Sequence, residues 1–381
     1  MPAPLLHLIA GARPNFMKLA PLVRALRADG RLAWKLIHTG QHHDQAMSGV
    51  FFDELGLPPP DVSLDCHGGS HAQLTARIMQ AYEPCVIADR PAACVVVGDV
   101  DSTLACALTA RKLGVRVAHV EAGLRSGDMT MPEEINRRAT DAIADWLFTT
   151  EPSAAAHLRR EGHPDTRIHD VGHVMVDNLL YQHRRLNEAP AGAAGLARSV
   201  LDEAGLGALA DRRYGVVTLH RPSNVDDPLQ LSALMAALGR LSERLPLLFP
   251  VHPRTRARMQ ALSLPVAPGV HLLPPLPYQP FLALWSRAAL VLTDSGGLQE
   301  ETTALGVPCL TVRDNTERPV TVDAGTNELA GTDPATVLQH AQRRLDVLDG
   351  AIATPAPARR PALWDGHAAE RITRILSRDL L

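Results

Sequence analysis

The sequence predicts an α/β chain of two doubly wound domains with a ligand cleft between them. Three observations carry that expectation. Short apolar runs alternate with longer stretches of helical periodicity, the pattern of parallel sheets assembled from βαβ units. The runs fall into two successive series. Glycine-rich or charged clusters follow many of them, which is where open parallel sheets bind ligands.

Expected strands of the first series cover residues 5–10, 34–38, 94–97, 116–120, 146–149 and 168–171. The stretch 187–207, rich in Ala and Gly, reads as helix and connection opening the second domain. The second series covers 215–219, 247–251, 270–273, 290–293 and 308–312. An Ala- and Pro-rich linker follows at 351–361. The tail 364–381 spaces Ala368, Ile372, Ile375 and Leu376 as one face of an amphipathic helix. The expected domains are 1–180, completed by the tail helix, and 181–363.

Length and composition bound the function. At 381 residues the chain exceeds one typical core. A formal charge of -3 and 4% aromatic residues argue against a nucleic-acid surface, which needs basic patches and stacking rings. No apolar run is long enough to span a membrane. The start, MPAPLLHLIAGARPNF, reads as a first buried strand rather than a signal peptide. Cys66, Cys85, Cys94, Cys106 and Cys309 are odd in number and dispersed, which suggests reduced thiols and a cytoplasmic protein.

The strongest anion signal is LTDSGGLQEETTALG, residues 292–306. A strand ends, Gly296 and Gly297 permit close backbone approach, and a helix begins whose free N–H groups suit phosphate. Glu301, deeper in that helix, would repel phosphate but accept hydrogen bonds from a ribose diol. Arg13 and Lys18 after the first strand, with Arg313 and Arg318 beyond a late one, suggest a pyrophosphate.

Acid–base candidates are Asp99, Glu121 and the pair Glu133–Glu134. Asp99 and Glu121 follow buried strands, where desolvation favours the protonated form. Helix capping competes with that reading: Asp101 reads as an N-cap, and for Asp99 both readings stand. Glu133 and Glu134 fall in the first turn of an expected helix, where the dipole favours acids anyway. His220-Arg221 at a strand end is placed to neutralise a leaving phosphate. His42, His43 and Asp44, with His67 and His71, lack metal-ligand spacing, so no metal centre is expected. No GxGxxG follows the first strand, and neither a GxSxG elbow nor a GxxxxGK[ST] loop occurs.

Taken in order, GARPNFMKLAPL, TGQHHDQ, VVVGDVDSTLA, VAHVEAGLRSGD, MPEEINRR, VTLHRPSN, FPVHPR, LTDSGGLQEE and RDNTERP resemble the non-hydrolysing UDP-N-acetylglucosamine 2-epimerases. The resemblance runs from residue 5 to about residue 331. It implies GT-B architecture, two Rossmann-like domains with the terminal helix returning to the first, and a homodimer. It further implies cofactor-free interconversion of UDP-GlcNAc and UDP-ManNAc, in which UDP leaves to give 2-acetamidoglucal and then adds back.

By match to the family's motifs, Asp99, Glu121 and Glu133 correspond to catalytic carboxylates and His220 to the phosphate-side histidine. Arg13 and Lys18 correspond to ligands of the first turn, and Ser295, Gly296 and Gly297 to the phosphate cradle. Glu301 corresponds to the ribose contact, Arg318 to a diphosphate ligand, and Leu276 and Phe281 to the uracil pocket. Some bacterial members bind a second UDP-GlcNAc as activator; Gln41, Arg221 and His252 match part of that site, whereas Asp44 and Pro222 depart from it. Asn15 stands where many members have Glu, Pro222-Ser223 where Arg-Glu is common, and Val320 at a frequent Glu position. A GT-B glycosyltransferase, a hydrolysing epimerase and a silent nucleotide-sugar binder are the competing readings.

Overall fold

A computed structural model describes residues 3–41, 52, 54–352 and 359–381. His42, His43 and Asp44, and most of the expected linker at 351–361, lie outside the described residues. The chain forms two compact units: Met1–Asn178 with Ala362–Leu381, and Leu179–Pro361.

The first unit runs β1 (Leu5–Ala10), α1 (Arg13–Asp29), β2 (Ala33–His38), β3 (Val62–Ser63), α2 (His71–Asp89), β4 (Ala93–Val97) and α3 (Asp101–Lys112). It continues through β5 (Arg116–Val120), α4 (Pro132–Ile143), β6 (Trp146–Thr149), α5 (Pro152–Arg160), β7 (Ile168–Asp170) and into α6 (Val174–Glu188). Its seven parallel strands lie in the order β3-β2-β1-β4-β5-β6-β7.

The second unit holds α7 (Gly192–Glu203), β8 (Gly215–Thr218), α8 (Pro222–Val225), α9 (Pro228–Ser242), β9 (Leu247–Pro250), α10 (Pro253–Ala261) and β10 (Val270–Leu273). Then come α11 (Tyr278–Trp285), β11 (Leu290–Thr293), α12 (Gly296–Leu305), β12 (Cys309–Thr311), α13 (Pro319–Asp323), β13 (Asn327–Leu329) and α14 (Pro334–Leu348). Six parallel strands take the order β10-β9-β8-β11-β12-β13.

Helices on both faces explain the strand composition. β4 (ACVVV) and β11 (LVLT) are buried at every position, as expected of strands covered on two sides. The strand order reverses between β1 and β4 in one unit and between β8 and β11 in the other. A ligand crevice opens outside the carboxyl ends at such a switch point.

Two strands escaped the sequence reading. β3 has two residues and β13 has three, Asn-Glu-Leu; both are sheet edges without the apolar run that marks an interior strand. The cysteines are free, and four of the five are buried. Among the described residues no helix is long and apolar enough to cross a membrane.

The tail helix α15 (Ala368–Leu380) packs into the core of the first unit through Ala368, Ala369, Ile372 and Leu376, beside Leu22 and Leu26 of α1. Burying Ile372 and Leu376 contributes about 1.5–3 kcal/mol each. Ahead of the helix, Trp364 is fully buried and donates its indole N–H to Thr150 O at 3.0 Å. Gly172 has φ +88°, and a Cβ there would lie 2.0 Å from Leu363 O, so this close passage requires glycine. Asp177 of α6 accepts the Ala369 N–H at 2.8 Å, capping α15 from a distant part of the chain.

Candidate active site

In the first unit the expected residues gather at the carboxyl ends of β1, β4 and β5. Pro14 in the first turn opens α1, with Asn15 behind it. The Asn15 side-chain oxygen accepts the Gly11 and Ala12 N–H groups at 3.0 and 2.8 Å, and its amide donates to Val97 O at 3.1 Å. The last bond needs a donor, so the amide suits this position in a way a carboxylate would not. Arg13 is exposed at the start of α1, while Lys18, one turn on, makes an ion pair with Glu121.

Glu121 is buried and has φ +77°, a left-handed conformation that costs a non-glycine residue on the order of 1–3 kcal/mol. The N–H groups of Glu121 and Ala122 both donate to Phe148 O at 3.0 Å, which holds the turn in place. Gly98 makes room for the pair. It sits at φ +70°, and a Cβ there would lie 2.8 Å from Lys18 Nζ and 3.6 Å from Glu121 Oε2.

The expected cap is corrected. α3 begins at Asp101 with Val100 as N-cap, and no side chain caps it. The buried Asp101 carboxylate instead meets His71 Nδ1 at 2.8 Å and the Asn136 amide at 3.3 Å, and this contact raises the affinity of His71 for its proton. Asp99 does not cap either; it pairs with Arg137 at 2.5 Å. Asn136 and Arg137 come from α4 and tie it to the end of β4: Asn136 donates to Asp99 O at 2.9 Å. Arg137 also bonds Glu134, which accepts the Ser126 N–H at 2.9 Å and is fully engaged in structure. Glu133, beside it in the first turn, is half-buried and has no ion pair among the described residues.

Beneath these groups, His119 of β5 stands between Asp141 Oδ1 at 2.6 Å and Gly98 O at 2.8 Å, and all three residues are buried. Burial alone would raise Asp141, yet His119 and Arg125 outweigh it and hold the carboxyl below its usual range. Gln41, expected in an activator site, accepts the Ser102 N–H and O–H at 3.1 and 2.7 Å at the start of α3.

In the second unit a pocket of about 250 Å³ is lined by Thr218, Leu219, His220, Pro250, His252, Pro275, Leu276, Phe281, Ser295 and Leu298. It brings Leu276 and Phe281, expected to hold a base, beside His220 and Ser295, expected on the phosphate side. His252, assigned in the sequence to an activator site, lines the same pocket, its ring centroid 5.9 Å from that of His220.

The buried Asp294 organises this end of β8 and β11. It accepts the backbone N–H of His220 at 2.9 Å and of Arg221 at 2.8 Å, the Asn224 amide at 3.1 Å, and faces His220 Nδ1 at 2.9 Å. Burial would raise Asp294, but His220 and these donors hold it below the ordinary carboxylate range. With Nδ1 held by Asp294 and the side chain partly exposed, Nε2 is the ring nitrogen left for a ligand.

Ser295 is the N-cap of α12, accepting the Leu298 N–H at 3.4 Å. A Cβ at Gly297 would meet nothing within 4 Å, so the fold itself does not demand glycine there. The open space suits an anion approaching the helix N-terminus.

Glu301 lies one turn deeper, buried, with Tyr278 O–H donating to it at 3.1 Å. Burial lifts its carboxyl to about 7 against that hydrogen bond, and the charge of Glu300 adds to the rise. Arg318 pairs with Glu300, both buried. Arg313 bonds Glu317 through two nitrogens at 2.9 and 3.1 Å.

The sequence reading assigned no role to Asn136, Arg137, His119 or Tyr278, and placed Asp294 in a strand-end cluster without one. The available signals were a histidine and an aspartate inside buried runs, where a polar side chain needs a partner.

Comparison with known proteins fits these motifs. The family model described as UDP-N-acetylglucosamine 2-epimerase matches residues 24–377. The UDP-2,3-diacetamido-2,3-dideoxy-D-glucuronate 2-epimerase of Pseudomonas aeruginosa is 40% identical over 88% of this chain and 91% of its own. The UDP-N-acetylglucosamine 2-epimerase of Methanocaldococcus jannaschii is 37% identical over 98% of both chains. Its crystal structure, in complex with UDP-GlcNAc and UDP, superposes with a TM-score of 0.83 at 36% identity, covering 98% of this chain and 99% of that one. A Streptomyces glycosyltransferase complexed with thymidine diphosphate shares the fold alone, with a TM-score of 0.55 at 17% identity. The fold is therefore GT-B-like, and the chain belongs to the UDP-N-acetylglucosamine 2-epimerase family.

Proposed function

We propose that the protein interconverts UDP-GlcNAc and UDP-ManNAc by inverting carbon 2 of the sugar. The observation that carries this reading is the carboxylate set at the ends of β4 and β5. Glu121 is held in a left-handed conformation against Lys18, and Asp99 is held by Arg137. Strained non-glycine residues cluster at active sites, where the surrounding structure holds them in place.

Carbon 2 carries no acidifying carbonyl, so simple deprotonation is unfavourable. In the proposed route a carboxylate takes the carbon-2 proton while the carbon-1–oxygen bond to UDP breaks, and the electron pair becomes the double bond of 2-acetamidoglucal. UDP oxygen then adds to carbon 1 as a proton returns to carbon 2 on the opposite face. Atoms and electrons balance without a redox partner. Asp99, Glu121 and Glu133 are the proton-handling groups of this proposal.

On the nucleotide side, Leu276 and Phe281 take the base, Glu301 the ribose, and the Gly296–Gly297 turn the diphosphate, with Arg13 and Arg318 as further cationic ligands. His220 Nε2, aimed by Asp294, neutralises charge on departing UDP.

The test is incubation with UDP-GlcNAc in deuterated water, followed by NMR. Deuterium at carbon 2 of UDP-ManNAc with no loss of total UDP-sugar is expected. Free ManNAc would indicate hydrolysis, and an unchanged spectrum would refute the proposal. The P. aeruginosa relative supplies the rival substrate. Turnover of the 2,3-diacetamido-glucuronate, with UDP-GlcNAc left untouched, would assign the protein that sugar instead.

A further inference from the structure

The side chain of Gln299, on α12, is fully buried, yet its amide nitrogen has no hydrogen-bond partner. An orphaned buried donor destabilises a fold, so its retention calls for an explanation. The amide is not adjustable. Its oxygen accepts the Thr316 O–H at 2.8 Å and the Asn327 amide at 3.1 Å. Asn327 is itself fixed by Thr321 at 3.0 Å and Thr311 at 2.7 Å. Rotating Gln299 by half a turn would set its nitrogen against the Asn327 nitrogen, so Nε2 faces away from this network.

Its direction is given by Gly296, the first residue of α12. The position a Gly296 Cβ would take lies 3.9 Å from Gln299 Nε2 and 3.9 Å from Arg313 Nη1. A neutral donor and a cationic one therefore converge beside a helix N-terminus at a residue with no side chain. Arg221 adds to the same field: burial and the neighbouring charge of Arg313 both weaken its hold on its proton, which an anion would offset.

We infer that Gln299 is a phosphate-binding residue, donating from Nε2 to a non-bridging oxygen of a nucleoside diphosphate held by the Gly296 and Gly297 N–H groups, with Arg313 facing the same point. The inference rests on the nucleotide-sugar reading above and adds to it a residue that the sequence motifs did not single out. Thr316 and Asn327 set the orientation of the donor, and the missing side chain of Gly296 leaves only backbone on the side it faces.

Isothermal titration with UDP, UMP and uridine tests this on the full chain and on Gln299→Glu and Gln299→Met. Gln299→Glu keeps an acceptor for Thr316 and Asn327 but turns the donor into a repelling carboxylate. Loss of about 10- to 100-fold in UDP affinity is expected, scaled from hydrogen bonds to charged groups. Gln299→Met should lose less, about 5- to 20-fold, because it removes the donor without adding charge. Uridine, which has no phosphate, should bind each variant as it binds the wild type. Should both variants fail to fold, wild-type protein labelled with ¹⁵N-glutamine gives the answer: UDP, and not uridine, shifts one buried side-chain amide. Equal losses for UDP and uridine, unchanged UDP affinity, or no shifted amide would overturn the inference. A wild type that binds no UDP would overturn it together with the nucleotide reading. A wild type that binds UDP but exchanges no deuterium would leave this inference standing and sink the epimerase proposal alone.

Discussion

Glu301→Gln should stabilise the protein while weakening its grip on nucleotide, and by an amount that depends on pH. Burial lifts the Glu301 carboxyl from an ordinary 4.5 to about 7. Because the folded carboxyl binds its proton more tightly than the unfolded one, stability is highest below about pH 4.5 and falls as pH rises to about 7. The gap of about 2.5 log units, at about 1.36 kcal/mol each, makes the buried charge cost about 3 kcal/mol at pH 8 and about 1 kcal/mol at pH 5.

Glutamine keeps an oxygen for Tyr278 and carries no charge to desolvate. Its new N–H₂ offsets part of the gain at every pH if it finds no acceptor, but that offset cancels between the two conditions. Denaturant titrations of wild type and variant at pH 5 and pH 8 should give stabilisations differing by about 2 kcal/mol, larger at pH 8. UDP affinity at pH 8 should fall at least about 10-fold, since an amide cannot accept from both ribose hydroxyls as a carboxylate does. Equal stabilisation at both pH values would refute the assigned burial cost, and unchanged UDP affinity would remove Glu301 from the ribose site.

Asp99→Asn and Glu121→Gln should each lower turnover at least about 100-fold while UDP affinity stays near normal; steady-state rates close to wild type would exclude both from proton transfer. Gly297→Ala should leave the melting temperature unchanged or slightly higher, because the added methyl meets no atom of the protein, yet it should reduce UDP affinity about 10-fold or more by filling the anion's approach. Equal UDP binding by calorimetry would show that the space serves no ligand. Asp177, whose carboxyl burial lifts to about 6, should behave as Glu301 does in stability. Asp177→Asn is expected to stabilise by up to about 3 kcal/mol at pH 8 and progressively less below pH 6. A gain independent of pH would count against it.

The interior strands and their order along the chain were readable because burial on two faces leaves an uninterrupted apolar run. β3 and β13 were not, since an edge strand of two or three residues owes its pairing to a neighbour rather than to its own pattern. At the site, residues meant to face a ligand stood out as polar clusters after strands. Those that act on other residues did not. Asp101 read as a cap because its position one residue past a turn allowed it, whereas its partners His71 and Asn136 are brought to it only by packing. Asp294, Arg137 and Gln299 likewise gain meaning from partners in other segments, as with Arg137 and Asp99 or Gln299 and Asn327. No local spacing records such pairs.

The return of Trp364 and α15 to the first unit also sets an order of events during synthesis. Leu179–Pro361 holds all six strands of its sheet and can complete its core before α15 has been synthesised. The unit that emerges first is finished last. Its α1 surface and the seat for Trp364 stay uncovered until residues 364–380 arrive, so the nascent chain exposes that apolar surface while the second unit is being made. Deleting the last few turns would then cripple the earliest-made unit and leave the later one intact.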